Sequence, residues 1–436
     1  MEGAASDFSS DGSSYKPFTE KVTSLLLSRA PCEKSIRYVL GGGALAASEE
    51  LMSYSLRSQY GVFFTPEDIT RSAVEHFRHE IASSASFYDP ACGAGNLLLG
   101  VAKEYKLGRT LVETVRLWGE AFGGCDINPD FVEAAKLRLI FLAAYRHGLP
   151  EISAELLGDL VKLLSNFKVA SFLEAGGSEE YDCILINPPF SHVSAEKDCE
   201  WAQGRTQLAA IFISKLIQLA KRKQCIFAIL PDVLRSGTRY KKWRELIERS
   251  SQNGQSRVYG RFSKNVDVDV FFLSFNAGIC CDEVAGIHWI AQRPWRENQV
   301  KLSDFYKVSV GPVVPFRLSG KGAAMSYITV KNCPPNAEVT DGQSVVFDGR
   351  KIYPPFVVIR RTSNPSDRRR LIASLVLING PVAVENHLLV VEPIGGGVKA
   401  CRYLLERLQS PDITNQLNEA IRCRHLTTKA IKDLLL

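Results

Sequence analysis

The sequence has no Cys-x-x-Cys pair, no run of about 20 consecutive uncharged apolar residues, and no internal repeat or heptad. The first absence argues against a zinc site and the second against a membrane-spanning helix. The opening MEGAASDFSSDGSSYKPF lacks a basic n-region followed by an apolar h-region. It is therefore not expected to be a secretory signal, and it reads as a short disordered leader. The eleven cysteines are too scattered for a disulfide framework. Cys183, Cys225 and Cys280 lie inside apolar runs, where free cysteine acts as a small hydrophobe. The adjacent Cys280 and Cys281 would face opposite sides of a strand. A reducing cytoplasm is the expected compartment.

What is present fits a soluble globular protein of two or three domains. The chain has 436 residues, 45% of them hydrophobic and 23% charged, too many for one compact core. A formal net charge of +6 permits a polyanionic partner without demanding one. Residues 1–58 read as the leader plus a helical segment, with Val22, Leu25 and Leu26 at helical spacing and Gly41-Gly42-Gly43 as a breaker. Residues 59–294 alternate short apolar runs with longer 3.6-period segments, the pattern of an α/β domain with a mostly parallel sheet. Strands are expected at Phe87–Asp89, Trp118–Cys125, Asp182–Ile186, Cys225–Leu230 and Val268–Phe275. Asn128-Pro129 opens a long helix by an N-cap and a first-turn proline. Residues 295–436 are β-rich, with runs YITV, SVVF, FVVIRR and HLLVVEP, and end in a helical tail from Arg402 to Cys423 and from Lys429 to Leu435.

Two stretches carry chemistry. Asp89-Pro90-Ala91-Cys92-Gly93-Ala94-Gly95-Asn96 joins a strand to a helix. Its glycines permit a tight turn and close approach of a ligand to a helix N-terminus. Asp89 ends the strand, where a carboxylate can meet an ammonium or sulfonium. Asp126 ends the next strand and can accept from ribose hydroxyls. It lies further beyond Gly95 than the roughly 20 residues of a dinucleotide fold, and the GxGxxG fingerprint is missing. A nucleoside without a pyrophosphate fits better than NAD.

The second stretch is Asn187-Pro188-Pro189-Phe190 at the end of the strand Cys183–Ile186. Two prolines stop the strand and hold the preceding residues extended. They leave the Asn187 side-chain oxygen and the Pro188 carbonyl as two acceptors suited to a planar amine, with Phe190 able to stack on its ring. Attack on a sulfonium methyl needs positioning more than a strong base, so no His or Cys nucleophile is required.

DPACGAG, GCDINP and INPPF, in that order, with YGVFFTP upstream, resemble the S-adenosylmethionine-dependent adenine-N6 DNA methyltransferases. The order resembles the gamma class and the modification subunits of type I restriction systems. The resemblance implies a Rossmann-like catalytic domain, S-adenosylmethionine as cofactor and no metal. It assigns Thr65, Asp89, Ala91, Gly93, Gly95, Asp126, Ile127, Phe172 and Asn187 to the cofactor. Asn187, Pro188 and Phe190 become the catalytic group, and Phe262 the residue that stacks on an extruded adenine. Leu230-Pro231-Asp232-Val233-Leu234 resembles a segment that supports the core. The family's acidic residue before Phe172 is replaced by Ser171, which weakens the expected hold on the cofactor.

The C-terminal part resembles target-recognition domains, with Arg360, Arg361, Arg368 and Arg369 as expected DNA contacts. The partners implied are duplex DNA, no membrane, and a cognate restriction endonuclease or specificity subunit, in a prokaryotic cytoplasm; alone, the chain is expected to be a monomer. The alternatives are the same chemistry on RNA or protein glutamine, or a catalytically weak DNA-binding subunit of a restriction or phage-defence system.

Overall fold

The structure, a computed structural model, describes residues 14–28, 31–196, 199–278, 286–290, 300–318 and 320–436. Most of the expected leader, the Cys280-Cys281 pair and the expected boundary at 294/295 lie outside these residues. The chain divides into two compact units, Met1–Trp289 and Ile290–Leu436.

The first unit is built on a seven-stranded sheet. Its strands are β1 (Phe87–Asp89), β2 (Phe122–Asp126), β3 (Phe167–Val169), β4 (Cys183–Ile186), β7 (Cys225–Pro231), β8 (Ser251–Ser263) and β9 (Val266–Ala277). A separate two-stranded hairpin pairs β5 (His192–Ser194) with β6 (Arg205–Gln207). The sheet order is β3-β2-β1-β4-β7-β9-β8. The first five strands run parallel, and β9 and β8 add antiparallel at the far edge. Every residue of β1 and β4 is buried, as expected of strands covered on both faces. Because the order reverses direction between β1 and β4, a crevice opens at their carboxyl ends, the position where open α/β sheets bind ligands.

Local chemistry sets several of these elements. Asn128 Oδ1 accepts from Asp130 N–H at 2.9 Å, and Pro129 begins the helix Pro129–Arg146. The Trp118–Cys125 expectation is corrected at its start. Residues up to Ala121 finish the helix Leu111–Ala121, whose capping Thr110 fixes the 3.6-residue register that buries Val115 and Trp118. The packed chain also begins earlier than expected. From Tyr15 the chain is packed, with Tyr15 and Phe18 in the core and Tyr15 N–H bound to Asp130 Oδ2 at 2.9 Å. Aromatic burial there outweighs the polar composition of the preceding serines.

The second unit holds β10 (Tyr306–Val310), β11 (Ala323–Ile328), β12 (Glu338–Val339), β13 (Gln343–Phe347), β14 (Phe356–Arg360), β15 (Ala373–Val376), β16 (Val382–Val384) and β17 (Leu388–Pro393). They form a five-stranded sheet, β10-β17-β14-β15-β12, and a three-stranded one, β13-β11-β16. The expected helix Arg402–Cys423 is two helices, Gly397–Arg407 and Pro411–Ala420, because Ser410 caps a new start at Pro411. Arg370 is fully buried. It donates to Ser363 Oγ, Asn418 Oδ1 and the carbonyls of Ile421 and Cys423. The last residue of the arginine run is therefore a clamp on the C-terminal segments.

Candidate functional site

A cavity of about 440 Å³ opens at the carboxyl ends of β1, β2 and β4, within the size range of small-molecule sites. Thr65, Asp89, Ala91 and Gly93 line it, as do Asp126, Ile127, Phe172 and Asn187. Gly95, Pro188, Phe190 and Phe262 do not. Gly95 serves by its conformation: its φ is +79°, and a Cβ there would come within 3.0 Å of the Ala135 Cβ.

Asn187 is held in one orientation. Its Nδ2 donates to Phe63 O at 2.8 Å and to Thr65 Oγ1 at 3.2 Å. A carbonyl can only accept, so the amide nitrogen faces Phe63 and the oxygen is turned away from it. That oxygen, Oδ1, is buried and has no hydrogen-bond partner among the described residues. A buried unpaired acceptor costs roughly 1–3 kcal/mol, and this one belongs to a residue that lines the cavity. The fit of the turn depends on Gly61 of YGVFFTP. At φ +68° it lies so close that a Cβ would stand 2.6 Å from the Pro189 Cβ and 2.9 Å from the Phe190 nitrogen.

Asp126 is the hinge of the cofactor-side loop. Its Oδ2 accepts from Gly93 N–H at 3.0 Å and its Oδ1 from Asn128 N–H at 2.9 Å. Burial nevertheless dominates and lifts its pKa to about 6. Asp89 is 2% exposed. Burial raises its pKa to about 8; the Ala91 N–H at 3.1 Å opposes the rise and the nearby Asp126 adds to it. The folded protein thus binds a proton at Asp89 that the unfolded chain has released. Between about pH 4 and pH 8 the native state carries more protons, so stability falls as pH rises through that window. Thermal melts of the ligand-free protein should show that fall, and Asp89→Asn should flatten it above about pH 6, beyond the range in which Asp126 adds a slope of the same sign. An equal slope in the variant would assign the pH dependence elsewhere.

Sequence reasoning missed Arg138. It sits on the apolar face of the helix Pro129–Arg146, 1% exposed. Its guanidinium donates to Val39 O at 2.9 Å, Gly41 O at 3.3 Å, Ala94 O at 2.6 Å and Asn96 Oδ1 at 2.5 Å. Asn96 Nδ2 in turn donates to Thr65 O at 2.8 Å. A continuous chain of hydrogen bonds thus joins the Gly41 turn, the glycine loop and the residue that holds Asn187. The one signal in the sequence is its position: an arginine three residues after Ala135 and four before Leu142 falls on the buried stripe, but no motif marks it as part of a site.

Ser171 lines the cavity beside Phe172, and Glu174, one turn on, lines it as well. Phe262 is buried on β8 and meets Phe190 edge to face at 5.3 Å, while Phe63 stacks on Phe190 at 6.2 Å. The Leu230–Leu234 segment contributes a buried ion pair, Asp232 Oδ1 to Arg235 Nε at 2.7 Å. In the second unit Arg368 and Arg369 are exposed, and Arg360 and Arg361 half-buried. Arg360 Nη2 is engaged with Cys333 O at 3.0 Å. Among the described residues, no group of three or more His, Cys, Asp or Glu is gathered as a metal cluster would need. No described helix is long and apolar enough to cross a membrane.

The sheet order, its antiparallel end and the glycine-loop crevice define the fold of an S-adenosylmethionine-dependent methyltransferase. Within that class, residues 121–266 match the family model described as Eco57I restriction-modification methylase. The chain resembles the restriction-modification methyltransferases. One curated relative, Type II methyltransferase M.VspI from Vibrio sp. (strain 343), is 28% identical over 153 residues. That match covers 34% of this chain and 30% of the relative, so it spans under a third of the relative's length. The solved structure of the type IIL restriction-modification enzyme MmeI in complex with DNA shares the fold. Its TM-score is 0.52 at 12% identity, covering 89% of this chain and 70% of that one.

Proposed function

We propose that the chain transfers a methyl group from S-adenosylmethionine to the N6 amine of an adenine extruded from duplex DNA at a specific sequence. The observation that carries this reading is Asn187, with its NH₂ clamped by Phe63 and Thr65 and its buried oxygen left for an incoming donor. That oxygen and the Pro188 carbonyl accept the two protons of the target amine and orient its lone pair. When bound, S-adenosylmethionine supplies the electrophilic methyl. The cavity suits it: two carboxyls, Asp89 and Asp126, beside a glycine loop in which a Cβ at Gly93 would strike the Phe64 ring at 2.8 Å. The second unit, 290–436, is read as the target-recognition part, with Arg368 and Arg369 among its exposed cations. A restriction endonuclease or specificity subunit is the partner this role calls for.

A cationic ligand favours ionised Asp89, so binding releases a proton below about pH 8. Affinity for S-adenosylmethionine should rise by up to about tenfold per pH unit toward pH 8 and then level off. Calorimetry in buffers of different ionisation enthalpy measures the released proton. Modification-sensitive sequencing of DNA from a methylation-free host expressing the chain tests the whole reading. N6-methyladenine in one sequence context is expected. Unmodified DNA from a chain that binds the cofactor would refute it.

A further inference from the structure

The hairpin β5–β6 leaves the catalytic turn directly, beginning two residues after Phe190. Ser191 and Val193 line the cavity, and Leu208 N–H closes the hairpin on Ser191 O at 2.9 Å. Strand alternation gives it two faces. Val193 and its cross-strand partner Thr206 face inward. His192, Ser194, Arg205 and Gln207 share the other face, in register His192↔Gln207 and Ser194↔Arg205. Arg205 Nη2 reaches His192 O at 3.5 Å, and Gln207 Nε2 lies 2.8 Å from His192 Nε2. Arg239, from the turn Thr238–Tyr240, donates to Gln203 O at 2.5 Å, two residues before Arg205.

Both arginines are exposed, and neither has a carboxylate partner among the described residues. Their carbonyl contacts fix the guanidinium positions and leave donors free. Besides burial, the charges acting on His192 are Arg205 and Arg239, and both lower its pKa. Two like charges anchored on one short hairpin, Arg205 on His192 O and Arg239 on Gln203 O, repel each other unless an anion lies between or over them.

We infer that Arg205 and Arg239 form a phosphate-binding clamp for the DNA strand that presents the target base. This rests on the function proposed above and specifies which residues seat the backbone at the catalytic turn. Phosphate contacts fix register without reading sequence, so the clamp would position the strand while the second unit selects it.

Each phosphate contact contributes about 0.9 to the slope of log K against log salt. Titration of a fluorescein-labelled mixed-sequence duplex with the full chain should therefore show a slope shallower by about two in Arg205→Ala/Arg239→Ala. The Arg205→Lys/Arg239→Lys chain should keep the wild-type slope. Melting temperature and S-adenosylmethionine affinity should stay unchanged, since both side chains are exposed and outside the cavity. An unchanged slope in the alanine variant, with wild type binding and methylating duplex, overturns the clamp alone. Wild type that binds single-stranded RNA but no duplex overturns the clamp and the DNA reading together.

Discussion

Asn187→Ala should reduce methyl transfer by at least about a hundredfold, the usual cost of removing one placed polar group from a reacting centre. The loss should fall on turnover. Affinity for S-adenosylmethionine, measured by calorimetry, should stay within a few-fold, because the cofactor side of the cavity is shaped by Asp89, Gly93 and Asp126. The substitution also frees the Phe63 carbonyl and the Thr65 hydroxyl, so a modest loss of stability accompanies it. Asn187→Asp separates the two effects. It keeps an oxygen acceptor and places another against the Phe63 carbonyl, so the clamp breaks while the acceptor survives. Wild-type turnover in Asn187→Ala would remove the residue from the mechanism.

Arg138→Met should be the most damaging single change to the fold of the first unit. Four acceptors, two of them fully buried, lose their donor at once, and each buried unpaired group costs roughly 1–3 kcal/mol. Even with relaxation, a loss of about 3–5 kcal/mol is expected in denaturant unfolding. Arg138→Lys keeps the charge, but one ammonium cannot reach both the Gly41 turn and the glycine loop, so it should recover only part of that stability. The distinguishing readout is the cofactor. With the glycine loop unlatched, the Lys variant should bind S-adenosylmethionine more weakly even where it remains folded. A Met variant as stable as wild type would show that water replaces the guanidinium.

The parallel half of the sheet was legible because buried strands announce themselves as short apolar runs. Phe87–Asp89, Cys183–Ile186 and Cys225–Pro231 are each where the pattern puts them. The edge strand β8 was not, since SQNGQSRVYGRFS is mostly polar. Its burial alternates weakly, as an outermost strand covered on one side permits. In the second unit ASLV and VAV are too short to stand out, and they become strands through pairing with distant partners. The cavity residues at Asp89, Gly93, Asp126 and Asn187 were legible because each lies where a strand ends. Arg138 and Glu174 were not singled out, because they reach the site through tertiary packing and carry no motif. The arginine run illustrates the same limit: Arg368 and Arg369 are exposed while Arg370 is buried, a division set by the C-terminal helices rather than by composition.

The three rings of Phe63, Phe190 and Phe262 sit in contact beside Asn187. A flat heterocycle that takes the place of either ring against Phe190 must part that contact, and each is worth about 0.5–1.5 kcal/mol beyond area. Free adenosine brings nothing from outside the cavity to meet that cost, whereas a long polymer brings contacts along its whole length. Under the proposed function, the resting rings thus act as a filter on molecular size, sparing the cell's small nucleosides from methylation while admitting the same base once it arrives attached to a chain.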